Sequence, residues 1–213
     1  MISIIIVTYN SGKYIRRCLD SVISQDLQDW ECILVDGAST DDTVNVFDEF
    51  EKRDSRFKHI SEPDSGIYDA MNKGWKIAKG DWIYYLGSDD MLLPQGLSDL
   101  CNLAGNLEDW DVVYGHIQYL KADGTIHVHK HHSHKQLPWK IFASHQGLIM
   151  RRTIIEKLDG FDMNLKIIAD KDLIIRSYFL NPPCRYRATE AVVAQFAGGG
   201  ASSRYWECFK EDI

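Results

Sequence analysis

The sequence predicts an α/β protein with an open, mostly parallel sheet of Rossmann-like βα units, followed by a mixed, partly antiparallel second half. Three observations carry this expectation. The apolar runs at residues 2–7, 32–35 and 82–86 are short and nearly continuous, which suits parallel strands covered on both faces. Helical-period segments separate them, as parallel connections require. Beyond Pro94 the pattern becomes that of a hairpin.

The first run stops at Thr8, Tyr9 and Asn10, and Ser11 and Gly12 provide a turn. Tyr14, Ile15, Cys18, Leu19, Val22 and Ile23 then recur at helical spacing. Cys32, Ile33, Leu34 and Val35 form a second strand that ends in Asp36, Gly37 and Ala38. Ser39 and Asp42 have the form of a helix-starting capping box, with Val44, Val46, Phe47 and Phe50 as the apolar stripe behind it. Residues 57–60 suit a third, shorter strand. Ile67, Ala70, Met71, Gly74, Trp75 and Ala78 mark a helix that closes at Gly80.

The second half reads as a helix over residues 97–107 and a strand over 112–120. A turn at Ala122, Asp123 and Gly124 then leads to a strand over 125–132. A short helix is expected at 138–143, a strand at 146–150, a helix at 168–180 stopped by Pro182 and Pro183, and a final strand at 192–196. With no repeat, low-complexity linker or domain break, the expectation is one domain over residues 1–213, in halves of about 1–92 and 93–213.

The strand over 82–86 ends abruptly in Gly87, Ser88, Asp89 and Asp90. Adjacent carboxylates repel unless a cation or donor cluster lies between them, so the pair suits a metal; capping the helix that Pro94 helps to start is an equal alternative on this stretch alone. The clearest strands all end in polar groups, Thr8, Asp36 and Asp89 with Asp90. In open α/β sheets ligands bind outside the carboxyl ends of the strands, so these groups are expected to line one crevice.

Composition excludes several classes. The net charge of -7 argues against a nucleic-acid surface, which needs Lys and Arg in excess. No apolar run approaches the ~20 residues that span a bilayer, and Met1 leads into Ile2 without the charged start of a signal peptide. The chain is therefore expected in the cytoplasm. Five widely spaced cysteines without a C-x-x-C pair suit reduced packing thiols rather than disulfides or zinc. His127, His129, His131, His132 and His134 form a tract whose alternation could gather a transition metal, although an exposed strand face is the simpler reading.

A family resemblance rests on the joint order of several motifs. Thr8-Tyr9-Asn10 after the first strand, residues 36–43 after the second, Glu62-Pro63-Asp64, residues 66–74 and the Asp89-Asp90 pair are followed by His145-Gln146, Gly160-Phe161-Asp162 and residues 169–172. Together they resemble the family 2 glycosyltransferases, over about residues 2–200. The resemblance implies a nucleotide-sugar-binding fold of the GT-A type, with a nucleotide half and an acceptor half. It also implies inverting transfer of a sugar from a nucleoside diphosphate donor, expected to be a UDP-sugar, to a hydroxyl of a growing glycan or lipid-linked saccharide.

By that resemblance Thr8, Asn10 and Asp36 hold the nucleoside, and Asp69, Asn72 and Lys73 lie among the substrate contacts. Asp90, with Asp89, holds Mg2+ or Mn2+ on the diphosphate, where hard oxygen ligands suit such ions. Asp89 also serves as a donor contact. Asp170 matches the general base that takes the acceptor's proton, with Asp172 as fallback; capping a helix, with Asp172 paired to Arg176, is the reading without the resemblance. His145 and Gln146 are expected to face the crevice toward acceptor or diphosphate, with a structural role for His145 as an equal alternative.

Two positions depart from the family pattern. Gly87 stands where many relatives carry a further Asp, and Met71 where many carry an Arg, leaving Lys73, Arg151 or Arg152 to supply positive charge. Residues 198–203 suggest a phosphate cradle or a closing loop. Tyr205, Trp206 and Phe209 leave room for peripheral association with the inner face of a membrane. A sugar-phosphate nucleotidyltransferase is the rival enzyme reading, disfavoured because residues 8–13 are not a Gly-rich cationic loop; a non-catalytic nucleotide- or metal-binding module is the other.

Overall fold

A computed structural model describes residues 1–121, 123–137 and 141–197. The first half runs β1 (Ile2–Thr8), α1 (Ile15–Ile23), β2 (Trp30–Asp36), α2 (Thr43–Arg53), β3 (Phe57–Ser61), α3 (Ile67–Ile77) and β4 (Trp82–Gly87). There follow β5 (Met91–Leu92), α4 (Gly96–Ala104), β6 (Val112–Leu120), β7 (Ile126–His129), β8 (Leu148–Arg151), α5 (Arg152–Lys157), α6 (Ala169–Tyr178) and β9 (Tyr186–Ala197).

All seven residues of β1 are buried, because successive side chains feed two cores on opposite faces of the sheet. Ile2, Ile4 and Ile6 join Leu19 of α1 and Phe47 and Phe50 of α2 on one face. Ile5 and Val7 join Met71 and Trp75 of α3, Ile155 of α5 and Ile174 of α6 on the other. Gly74 permits the approach of α3 to the sheet, since a Cβ there would lie 2.5 Å from the Ile5 side chain.

Among the described residues the sheet has the order β3-β2-β1-β4-β8-β6-β9-β5, with β7 paired to β6. The first four strands are parallel, as expected. β8 then runs antiparallel to β4, with Tyr84 opposite Ile149 and Trp82 opposite Arg151. The residues just before β8 therefore arrive at the carboxyl end of β4, and those just after it at the amino end. The mixed second half is thus welded into the same sheet.

Several local expectations shift. The Ser39–Asp42 capping box does not form: Asp42 makes no side-chain cap, and Asp41 Oδ1 accepts the Thr43 N–H at 3.0 Å instead. Residues 141–143 are not helical, and residues 138–140 of that expected helix lie outside the described residues. His145–Gly147 is a 3-10 turn rather than the start of a strand, and α5 is a helix that the sequence pattern did not reveal. β9 begins at Tyr186, six residues before the expected strand, because it pairs in parallel with most of β6.

Candidate active site

The ends of β1, β2 and β4 are level, with Thr8 opposite Asp36 and Val7 opposite Gly87. The loops leaving them are stitched together. Asn10, in a left-handed conformation with φ 50°, donates its backbone N–H to Ser39 Oγ at 2.7 Å and accepts the Thr40 N–H on Oδ1 at 2.9 Å. Gly12 N–H donates to Asp41 Oδ2 at 2.9 Å, and the Ser11 and Ser88 hydroxyls meet at 2.9 Å. These bonds shape the mouth of the crevice before any ligand arrives.

Asp36 is fully buried and accepts Ser39 N–H at 2.8 Å, Ser39 Oγ–H at 2.5 Å and Ser61 Oγ–H at 2.7 Å. Its carboxylate thus organises the turn after β2. Thr8 beside it is different. Its hydroxyl is buried at the strand end with no hydrogen-bond partner among the described residues. An unpaired buried hydroxyl costs stability, so a ligand atom at this position would be favoured.

Beyond β4 the chain turns tightly, with Asp90 N–H donating to Gly87 O at 3.1 Å. Both carboxylates fold back over Gly87. A Cβ at that position would lie 2.6 Å from Asp90 Oδ2 and 3.2 Å from Asp89 Oδ1. Glycine here leaves room for both carboxylates over the turn, which a side chain at position 87 would crowd. Asp90 is only 1% exposed, and Arg17 anchors the turn by donating to Asp89 O at 2.7 Å. Two converging hard oxygens fit a divalent cation with affinity for diphosphate.

Asp170 opens α6 and faces His145, with Asp170 Oδ2 to His145 Nδ1 at 3.0 Å. Burial pushes the Asp170 carboxyl up, but the hydrogen bond and charge of His145, with the Lys171 backbone N–H, outweigh it and hold the group below the usual carboxylate range. It is therefore ionised at neutral pH. The Tyr68 hydroxyl lies 3.2 Å from Asp170 Oδ1 and 2.6 Å from Ile167 O. Its one proton goes mainly to the nearer carbonyl, and burial together with the Asp170 charge keeps it protonated.

One adjacent pair joins the two acidic centres. His145 holds Asp170 while Gln146 Nε2 donates to Asp90 Oδ2 at 3.3 Å. Gln146 is itself fixed by Ser144 Oγ on its side-chain oxygen and by Tyr84 O–H on its carbonyl at 2.7 Å. Both residues reach this place because β8 runs antiparallel to β4. The same register removes Arg151 and Arg152 from the site: Arg151 lies over the Trp82 ring and Arg152 donates to Gly80 O, both at the amino end of β4.

The remaining expected contacts have local roles. Asn72 Nδ2 donates to Phe161 O at 2.9 Å, while its Oδ1 accepts from Phe161 N–H and Trp75 Nε1–H. Asn72 thus clamps the Gly160-Phe161 turn to α3. Lys73 pairs with Glu62 at 2.9 Å and lies 3.8 Å from Asp69, and Asp69 accepts the Ser65 N–H at 2.9 Å; together they order the loop after β3. Asp172 pairs with Arg176 at 2.6 Å. Met71 is buried in the core.

The histidine tract divides. His127 and His129 sit on β7, whereas His131 stacks on the His116 ring at 4.5 Å, and His116 reaches Glu190 at 3.1 Å. The His131 ring nitrogens face the carbonyls of His132 and Thr189, at 3.2 and 3.0 Å. A neutral imidazole carries one N–H and one lone pair, and His116, His131 and Glu190 bring three ligand-type atoms within 4.8 Å of one another. Residues 198–203 and Tyr205, Trp206 and Phe209 lie outside the described residues. Sequence reading missed Tyr68, Arg17 and Ser61, whose partners are distant in sequence and leave no periodic signal.

The sheet order, the crevice at its carboxyl edge and the two acidic centres define a GT-A type glycosyltransferase architecture. The sequence model of "Glycosyl transferase family 2" matches residues 3–164, and the chain belongs to that family. Among curated relatives, a PGL/p-HBAD biosynthesis glycosyltransferase of Mycobacterium bovis is 33% identical over 209 residues, covering 95% of this chain and 79% of that protein. A chondroitin synthase of Pasteurella multocida is 30% identical over 182 residues, covering 83% of this chain and 18% of the synthase.

Solved structures agree in fold. TarS 1-349 of S. aureus in complex with UDP-GlcNAc gives a TM-score of 0.77 at 20% identity, over 95% of this chain and 60% of that one. The mannosyltransferase PcManGT of Pyrobaculum calidifontis in complex with GDP-Man and Mn2+ gives 0.71 at 18% identity, over 98% of this chain and 60% of that one. The chain thus spans about three-fifths of the length of these structures.

Proposed function

We propose that the protein transfers a glycosyl group, with inversion, from a nucleoside diphosphate sugar to an acceptor hydroxyl, with a UDP-sugar as the expected donor class. The observation that carries the proposal is the His145-Gln146 bridge, which ties an ionised carboxylate on one side to the buried carboxylate of the Asp89-Asp90 turn on the other. A base and a leaving-group site on opposite sides of one small turn suit single displacement, in which no enzyme nucleophile is needed.

Thr8, with its unpaired hydroxyl, and the loop shaped by Asn10 and Asp36 would receive the nucleoside. Asp170 accepts the acceptor's proton as the hydroxyl oxygen bonds to the anomeric carbon. The bond from that carbon to the diphosphate oxygen breaks, and its electron pair leaves with the nucleoside diphosphate. Asp90 and Asp89 would hold Mg2+ or Mn2+, which when bound neutralises charge on the departing diphosphate. The solved relatives' ligands, UDP-GlcNAc and GDP-Man with Mn2+, support this chemistry.

The acceptor class is a growing glycan or a lipid-linked saccharide; two relatives are a PGL/p-HBAD biosynthesis glycosyltransferase and a chondroitin synthase. Among the described residues no helix is long and apolar enough to cross a membrane. The cytoplasm or the inner face of a membrane is proposed as the place of reaction. Asp170→Asn is expected to abolish transfer while UDP binding persists; undiminished turnover would remove Asp170 from the base role. Asp90→Ala is expected to weaken Mn2+-dependent UDP binding, and unchanged metal dependence would overturn the metal assignment.

A further inference from the structure

Asp170 also borders a cavity of about 760 Å3 that is distinct from the nucleotide crevice. Asp170, His145 and Gln146 line it, whereas Thr8, Asp36, Asp89 and Asp90 do not. Its volume is that of a site for a small molecule. Its walls come from the second half of the chain and expose mostly apolar surface, from Ile117, Tyr119, Ile141, Phe142, Ile174 and Phe196, with histidines of the 127–132 tract, Ser144 and Lys171 also lining it. Tyr119 and Phe196 face each other across the β6–β9 register and stack at 5.8 Å with an interplanar angle of 21°.

Such walls are a poor match for a purely saccharide acceptor. Each sugar hydroxyl set against an apolar wall loses its hydrogen bonds with water, and the polar side chains that also line the cavity can offset this for only part of a saccharide. An alkyl or aryl group gains from the same transfer. We infer that the cavity binds the apolar portion, alkyl or aryl, of an amphipathic acceptor whose reacting hydroxyl lies against Asp170. The direction of that ligand rests on the proposed role of Asp170 as base; occupancy of the cavity does not.

The test uses the full chain with UDP and Mn2+ present, and measures binding of octyl, phenyl and methyl β-D-glucoside by calorimetry below the octyl glucoside micelle concentration. Octyl or phenyl glucoside is expected to bind at least tenfold more tightly than methyl glucoside, and the tighter of the two assigns the alkyl or aryl source. Val128→Asp, at an exposed position on β7 that lines the cavity, is expected to erase the preference without disturbing folding or UDP binding. Phe196→Ser, with its thermal midpoint checked, is expected to do the same. Equal binding of the three glucosides, or a preference that survives both substitutions, would overturn the inference. Asp170→Asn separates the two readings: a preference kept alongside unchanged turnover would leave the cavity standing and remove the base.

Discussion

His145 is expected to act on the reaction through Asp170, and the pH dependence of transfer is where this shows. Burial opposes the charge on the Asp170 carboxylate, and the His145 hydrogen bond at 3.0 Å is the largest of the effects that offset it. A hydrogen bond to a charged group contributes about 1.5–3 kcal/mol, and 1.36 kcal/mol is about a factor of ten in proton binding. His145→Ala removes that support and therefore raises the proton affinity of the carboxylate. A general base works only when ionised, so with Asp170 in the proposed role the loss is largest on the acid side and shrinks as pH rises and the carboxylate ionises in both proteins. The assay is initial rate of transfer against pH, with UDP affinity measured in parallel to confirm that the donor site is intact. A rate reduced by one constant factor at every pH, with an unmoved acid limb, would refute electrostatic support of Asp170 by His145.

Three further outcomes follow from contacts elsewhere. Gly87→Ala inserts a Cβ 2.6 Å from Asp90 Oδ2 and is expected to weaken Mn2+ affinity by roughly 10- to 100-fold, the range typical of disturbed ligand support; an unchanged Mn2+ titration would refute the convergence of the two acids. Asn72→Ala strands the Phe161 backbone groups and the Trp75 indole N–H and is expected to cost about 2–4 kcal/mol in urea unfolding, whereas a loss below about 1 kcal/mol would rule out the clamp. Asp54 is held below the usual carboxylate range by its hydrogen bonds from Arg56, so its contribution is present above the unfolded value near 3.9 and is lost as pH falls through the lower folded value. The stability difference between wild type and Asp54→Asn is thus expected at neutral pH and vanishes in acid; a difference independent of pH would exclude the linkage.

How much of the protein was legible in its sequence depended on the range of the physical signal. The apolar runs of β1, β2 and β4 determine buried parallel strands, because seven consecutive buried positions such as those of β1 exist only where both faces are covered. From the same runs follow the positions of Thr8, Asp36, Asp89 and Asp90 at one edge, since a strand's carboxyl end is where its apolar run stops. The stripe of α2 was legible for a similar reason, but not its cap. Ser39 suits the cap chemically, yet its hydroxyl is engaged by Asp36, and Asp41 takes its place.

Only the tertiary structure decided what stands between those acids and Asp170. One antiparallel pairing, β8 against β4, carries His145 and Gln146 to the carboxyl edge and Arg151 and Arg152 to the opposite one. Reversing that strand would exchange the two pairs, and nothing in the local spacing of either pair reports which way it runs. Asn72 and Tyr68 were obscure for the same reason. Their partners Phe161 and Asp170 lie 89 and 102 residues along the chain, and contacts at that distance follow from how sheets and helices assemble rather than from the periodicity of one segment.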